Sequence, residues 1–323
     1  MTEYLDFEKP LIEIEERIVQ LKEIPNPEGK VLEEISKLQK RSKQALFEIY
    51  SKLTPWQKVQ VARHIIRPTF LDYIKVIFEN PMELHGDRLC AEDKSIIGGL
   101  AKFKNRTIVF VGNQKGKTLK ERVQRNFGMP NPEGYRKALR LMKMADKFKF
   151  PVITMVDTPG AFPGIGAEER GQSEAIARNL FEMSRLSVPI ISIVIGEGGS
   201  GGALALSVAD KIIMLEHAVF SVISPEGCAA ILWKESGKMK EATEALRMTA
   251  QELYQGKVID EILLEPLGGA HRNPKEMAET CAKCIETHLT LLESIPPEKR
   301  LALRYEKFKK LGPYLENTSQ RAI

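Results

Sequence analysis

From residue 96 onward, short runs rich in β-branched and apolar residues alternate with longer helical stretches. Strands separated by helices of this length need crossover connections, so the alternation predicts an α/β core. The predicted strands are Ile96–Phe103, Thr107–Val111, Val152–Asp157, Ile190–Gly196, Lys211–Leu215 and Val219–Ile223. The predicted helices between them are Pro132–Phe148, Glu168–Leu186, Ala203–Asp210 and Pro225–Trp233.

Both ends of the chain have helical periodicity instead. Near the start, apolar residues recur three or four positions apart until Pro25-Asn26-Pro27 interrupts them; these are Leu11, Ile14, Ile18 and Leu21. The pattern predicts a helical hairpin over residues 1–53, with apolar stripes that need a partner surface. The Thr54-Pro55 step begins a third helix and, in this division, the core domain 54–272. Residues 273–323 are predicted to be a helical extension split at Pro296-Pro297.

Composition narrows the class of protein. Lys and Arg total 48 against 43 Asp and Glu, an excess too small to indicate a nucleic-acid binder. The first residues carry acidic side chains and no apolar core, so no signal peptide is expected. The longest apolar runs, around Ile190–Ile195 and Ala203–Ala205, are too short for a membrane span. Four cysteines in 323 residues favour a reducing, cytoplasmic location.

Cys281 and Cys284 form a C-x-x-C with only His288 nearby, so they are interpreted as two cysteines on a helix face and no metal is expected.

Three glycine-rich loops follow predicted strands. The first, Gly112–Thr118, resembles a phosphate-binding loop, but it has three residues between its glycines where that loop needs four. No Asn-Lys-x-Asp motif accompanies it, and nucleotide hydrolysis is not expected. The basic residues of this stretch, Lys115 and Lys117 among them, either steer an anionic cofactor or form a solvated helix face.

The second loop, Gly198–Gly202, has two interpretations. It contains G-x-S-x-G, and Ser200, Asp260 and His271 follow the chain order of a hydrolase triad, so a serine hydrolase is the alternative function. However, so much glycine indicates close approach of backbone N–H groups to a ligand. Backbone N–H groups at a helix start bind anions well, which favours an oxyanion hole. Its candidate residues are Gly198, Gly199, Gly201 and Gly202.

The third loop begins at Asp157 and runs to Gly166, with two Pro-Gly steps. It follows the carboxyl end of a strand, which is where open α/β proteins bind ligands.

Five blocks, in this order and spacing, resemble the alpha subunit of bacterial acetyl-CoA carboxylase carboxyltransferase. The resemblance runs from about Thr54 to Arg272. The blocks are Gly128–Ala138, Asp157–Glu174, Gly196–Leu204, Ser221–Cys228 and Pro266–Arg272.

The resemblance implies a crotonase-type fold of repeated ββα units with N- and C-terminal helical extensions. It implies that carboxybiotin, borne by a biotin carrier protein, gives its carboxyl group to acetyl-CoA to form malonyl-CoA, the first committed step of fatty acid synthesis. The expected carboxybiotin loop is Gly160, Ala161, Phe162, Pro163 and Gly164.

The expected partners are a zinc-ribbon beta chain in an alpha2beta2 heterotetramer, the carrier protein and biotin carboxylase. Biotin is not expected to be covalently bound to this chain. The chemistry needs preorganised N–H donors for the anion that carboxyl release leaves, and the glycine loops contain no candidate base except Glu197.

Overall fold

The structure is a computed structural model that describes residues 3–312. One eight-stranded sheet forms the centre, with helices on both sides and at its ends. The strands are β1 Glu79–Glu83, β2 Ile96–Phe103, β3 Arg106–Asn113, β4 Val152–Thr158, β5 Ile190–Gly199, β6 Lys211–Leu215, β7 Val219–Ser221 and β8 Glu261–Leu263. The helices are α1 Lys9–Lys22, α2 Gly29–Tyr50, α3 Pro55–Ala62, α4 Phe70–Ile77, α5 Leu119–Gln124, α6 Pro132–Phe148, α7 Ile165–Glu169, α8 Gln172–Met183, α9 Ser200–Leu204, α10 Pro225–Leu232, α11 Met239–Leu246, α12 Ala250–Gln255, α13 Pro274–Glu293 and α14 Pro297–Lys309.

The sheet order is β1-β2-β3-β4-β5-β6-β8, and β7 pairs with the end of β5. The first three strands are antiparallel, whereas β3 to β6 and β8 run parallel. β4 is buried along its whole length, as is expected for a parallel strand covered on both faces. Because parallel strands end at one edge, the loops after β3, β4 and β5 meet there.

The predicted strands are confirmed to within a few residues, and Pro132–Phe148 is confirmed as α6. The prediction Ala203–Asp210 is wrong: α9 ends at Leu204. The backbone N–H of Asp210 donates to the carbonyl of Ile190, and the Asp210 carboxylate accepts from the Ile190 N–H, which ties the chain to the start of β5. The predicted helix Glu168–Leu186 is divided at Gly171, whose φ is +83°.

The N-terminal hairpin covers its own apolar stripe. Ile14, Ile18 and Leu21 are all buried where α1 packs on α2. The partner surface that this stripe was expected to need is therefore the neighbouring helix of the same chain. Arg272 fixes the hairpin to the core through Glu15 at 2.7 Å and Glu8 at 3.1 Å.

The C-terminal helices pack on the same core as the sheet. Met277, Cys281 and Ile285 of α13 are buried within the main hydrophobic cluster. The division at residues 53 and 272 remains a prediction, and residues 1–2 and 313–323 lie outside the described residues. Within residues 3–312, no helix has the length and apolarity that crossing a membrane requires.

Candidate functional site

The second and third glycine loops lie in direct contact at the carboxyl edge of the sheet. A Cβ atom on Gly202 would stand 2.5 Å from the N atom of Ala161 and 2.7 Å from the carbonyl carbon of Gly160. A Cβ atom on Gly199 would overlap the Pro159 carbonyl group. The structure thus brings together two loops whose contacting residues are 40 to 42 positions apart in the chain, and only glycine allows their backbones to meet so closely.

The glycine loop owes its shape to a strand that runs directly into a helix. β5 ends at Gly199 and α9 begins at Ser200, whose φ is +54°. The first N–H groups of any helix have no partner inside it, so those that follow Gly199 lack an intrahelical acceptor. Gly201 differs from Gly202, because its nearest neighbour, the Ile176 side chain, leaves room for a Cβ atom at 3.5 Å.

The loop from Gly160 to Gly164 is held by hydrogen bonds at its first residue and at its middle residue. The Thr158 hydroxyl donates to the Gly160 carbonyl at 2.7 Å and accepts from the Gly160 N–H at 3.0 Å. Further along, the Phe162 N–H donates to the Pro130 carbonyl at 2.9 Å. The Gln172 side chain donates to the carbonyls of Pro130 and Phe162, both at 2.9 Å. The loop is therefore preorganised by contacts from β4 and α8.

A chain of ion pairs, buried at Glu197 and Asp157 and more exposed toward Glu226, lies beside the glycine loop. Lys115 contacts Glu197 at 2.6 Å and Asp157 at 2.7 Å. Arg63 contacts the other oxygen of Glu197 at 2.6 Å and continues to Glu226 at 2.5 Å. The Glu197 N–H also donates to Asp157 at 2.9 Å. Two cations and two carboxylates thus fix the end of β5 to the end of β4.

These ion pairs determine the charge state of Glu197. Burial alone would raise the pKa of Glu197, but Lys115 and Arg63 outweigh it and lower the pKa to about 2. Burial likewise lowers the pKa of Lys115, but Asp157 and Glu197 outweigh it and raise the pKa above its ordinary value. Glu197 is therefore an ionised, fully engaged carboxylate, and it is a poor general base near neutral pH.

Two cavities open on either side of Arg63, Pro159 and Glu197. The larger one, about 210 Å³, is lined on its basic side by Lys115 and Arg122. The smaller one lies against Gly198 and Gly199 and measures about 20 Å³. The residues that could hold a metal ion in the described part of the chain form two groups elsewhere.

The basic stretch is divided between two environments. Lys115 faces the ion-pair chain, so Glu197 and Asp157 balance its charge. Lys117 is exposed and contacts Asp72 at 2.7 Å. Thr118 caps α5 by accepting from the Glu121 N–H.

The hydrolase triad is not assembled. Asp260 accepts from the Ile212 N–H at 2.7 Å and pairs with Lys307. His271 stacks on His64 with 4.1 Å between the ring centroids, and burial together with His64 and Arg67 lowers the pKa of His271 to about 3. No hydrogen bond joins Ser200 to His271 or Asp260 in the part of the chain that the structure describes.

Sequence reasoning did not single out Arg63 or Gln172. Arg63 lies on a helix end 134 residues before its partner Glu197, and no local pattern marks that pairing. Gln172 lies within one of the five blocks, but nothing in its spacing identifies the two carbonyls that it binds.

The chain matches known proteins over nearly its whole length. The family described as acetyl co-enzyme A carboxylase carboxyltransferase-like matches residues 4–312. The acetyl-coenzyme A carboxylase carboxyl transferase subunit alpha of Geobacter metallireducens is 53% identical over 312 residues, which cover 97% of this chain and 98% of that protein. The protein of the same name from Listeria monocytogenes is 55% identical over 315 residues, covering 97% and 99%.

Solved structures with lower identity share the fold. A transcarboxylase 12S structure has a TM-score of 0.56 and 21% identity; the alignment covers 71% of this chain but only 44% of the transcarboxylase chain. A Pseudomonas malonate decarboxylase hetero-tetramer in complex with coenzyme A also has a TM-score of 0.56, with 15% identity, covering 72% of this chain and 91% of the other. The predicted α/β, crotonase-type fold is confirmed.

Proposed function

Because this chain belongs to the family of acetyl-CoA carboxylase carboxyltransferase alpha subunits, we propose that its two touching glycine loops bind carboxybiotin during carboxyl transfer to acetyl-CoA. The chain is a transferase subunit and not a serine hydrolase. Its family acts on CoA substrates by biotin-dependent chemistry. The observation that carries the proposal is the contact of Gly199 with Pro159 and of Gly202 with Ala161, where no side chain fits.

The residues fit an anion that needs N–H donors. When bound, carboxybiotin supplies the carboxyl group, and its ureido ring takes up negative charge as that group leaves. We assign the stabilisation of this charge to backbone N–H groups among Gly198, Gly199, Gly201 and Gly202, each worth about 3–4 kcal/mol in a dry site. The loop of Gly160, Ala161, Phe162, Pro163 and Gly164 holds the ring in place.

No side chain of these loops serves as a base in this proposal. Glu197 is the single carboxylate of the glycine loop, and its two oxygens are engaged by Arg63 and Lys115. We therefore assign Glu197 a positioning role: it fixes the end of β5 so that the following N–H groups stay aimed at the ligand.

Lys115 and Lys117 have different roles in this account. Lys115 holds Glu197 and Asp157, and its balanced charge contributes little to steering. Lys117 pairs with Asp72 at 2.7 Å, but its side chain is 60% exposed and such a surface pair is weak, so its ammonium group is available to an arriving anionic cofactor or to the carboxylated carrier.

An alpha subunit of this family works with a beta subunit. We propose an alpha2beta2 heterotetramer with a zinc-ribbon beta chain, supplied with carboxybiotin by the carrier protein and biotin carboxylase, in the cytoplasm. The product, malonyl-CoA, enters fatty acid synthesis.

The substitution Gln172→Leu tests which substrate the loop binds. It removes the hydrogen bonds to Pro130 and Phe162 while keeping a side chain of similar size, so the loop loses its anchor on α8. In biotin-dependent malonyl-CoA decarboxylation with the beta chain, we expect a KM for biotin at least about tenfold higher and an unchanged KM for malonyl-CoA.

Arg178→Ala is the matched control, because Arg178 lies on the same helix and makes only an exposed pair with Glu174. It should leave both KM values unchanged. A Gln172→Leu enzyme whose KM rises for malonyl-CoA and not for biotin would overturn the assignment of this loop.

A further inference from the structure

Three side chains with metal-binding atoms meet where α13 passes the first residue of the edge strand β8, away from the glycine loops. Cys284 and His288 are four residues apart on α13 and therefore lie on one face of the helix. Glu261 is the first residue of β8. One ligand atom from each of these residues lies within 4.8 Å of the other two, and the His288 Nε2 and Glu261 Oε2 atoms are 2.6 Å apart.

The donor set is typical of zinc. A thiolate, an imidazole and a carboxylate are the three ligand types that Zn²⁺ takes in proteins, with bonds of about 2.0–2.3 Å. Ligand atoms of such a tetrahedral complex are separated by roughly 3.3–3.7 Å. The present atoms therefore need only a small rearrangement. Glu261 can provide it, because its side chain is 41% exposed and free to turn.

The three residues differ in how far they are buried, and the difference suits a bound ion. Cys284 is buried, and His288 and Glu261 are half-buried, with the Glu261 side chain the more exposed of the two. A cation would thus be held from inside and could keep a water molecule as its fourth ligand.

A simple hydrogen bond between His288 and Glu261 does not account for the whole cluster. It gives no reason for the Cys284 sulfur to lie at the same place. Cys281, one turn earlier, points into the apolar core and is not part of the group.

We propose that Glu261, Cys284 and His288 form a zinc-type cation site that clips α13 to the edge strand of the sheet. Binding would replace the proton of the Cys284 thiol by the metal ion and release that proton to solvent. The site would stabilise the sheet edge and would take no part in carboxyl transfer.

Cobalt(II) titration of the full-length chain tests the site, because a thiolate bound to cobalt gives a near-ultraviolet charge-transfer band in addition to the visible bands of tetrahedral cobalt. We expect one equivalent to bind with this band. Cys284→Ala should abolish the band, and Glu261→Gln and His288→Gln should weaken binding by at least about tenfold. Glu261→Gln changes a side chain that is 41% exposed and should leave the fold intact, so weaker binding in this variant reports on the site itself.

Cys281→Ala and Cys90→Ala are the controls. Cys281 is an equally buried thiol of the same helix, and Cys90 is the exposed free thiol. Both variants should keep the band. A wild-type chain that binds no stoichiometric cobalt, a band that survives in Cys284→Ala, or affinity unchanged in both Glu261→Gln and His288→Gln would overturn the proposal.

Discussion

The contact between the two glycine loops can be tested by comparing two neighbouring glycines of α9. Gly202→Ala places a methyl group 2.5 Å from the N atom of Ala161 and 2.8 Å from the Tyr135 hydroxyl oxygen. Gly201→Ala places the same group 3.5 Å from the Ile176 side chain, which is an ordinary contact. Neither glycine has a positive φ, so the two substitutions differ mainly in what the methyl group meets.

The size of the expected effect follows from the distance. Relief of the Gly202→Ala clash requires the loop of Ala161 to retreat by about 0.9 Å to reach a normal contact of 3.4 Å. A displacement of about 1 Å in a positioned site costs on the order of a hundredfold in rate. Gly201→Ala requires no displacement and should keep activity within about threefold of wild type.

The assay is biotin-dependent malonyl-CoA decarboxylation with the beta chain, and circular dichroism would verify that each variant is folded. Gly199 is less suited to this test, because a Cβ atom there overlaps the Pro159 carbonyl and threatens the backbone of the strand end itself. A folded Gly202→Ala enzyme of wild-type activity would refute the reasoning. An equal loss in Gly201→Ala would refute it as well.

Three further results are expected. Ser200→Ala should keep most of the activity, and the wild-type protein should not react with a fluorophosphonate probe, because no general base activates the Ser200 hydroxyl. Total loss of activity in Ser200→Ala would contradict this. Glu265→Gln should lower the free energy of unfolding, measured by urea titration, by about 3–5 kcal/mol, because it leaves the buried Arg67 without its ionic partner. A decrease of less than about 1 kcal/mol would contradict this. Burial would raise the pKa values of Glu197 and Glu265, but their cationic partners lower both from 4.5 to about 2. The stability that these ion pairs contribute should therefore be complete above about pH 4.5 and should fall as the pH approaches 2. Urea midpoints that stay unchanged between pH 5 and about pH 2.5 would contradict this.

Local patterns were sufficient to predict most of the secondary structure and the loops of the site. β6 is found at its predicted bounds, because a short apolar run between turn residues has few alternatives. The loop Gly198–Gly202 was recognisable because glycine is needed where backbones touch. β1 was not predicted: its sequence Glu79–Glu83 is fully exposed and contains proline, so no apolar alternation marks it as an edge strand.

Features that depend on long-range contacts could not be predicted in this way. The length of α9 is set by how Asp210 bonds back to Ile190, and the state of Glu197 is set by Arg63 and Lys115 from distant parts of the chain. The same limit applies to the N-terminal hairpin. Periodicity identified its apolar stripe but not the surface that covers it, which is the neighbouring helix.

The central claim is that this chain supplies one part of a carboxyltransferase site and the beta chain supplies the other. The most direct measurement is a titration of the purified chain with beta chain, following malonyl-CoA decarboxylation in the presence of biotin while sedimentation reports the assembly. We expect no turnover by this chain alone and activity that rises with added beta chain until about one beta chain is present per alpha chain. Appreciable turnover before any beta chain is added would contradict it, because both substrates would then be bound within these 323 residues.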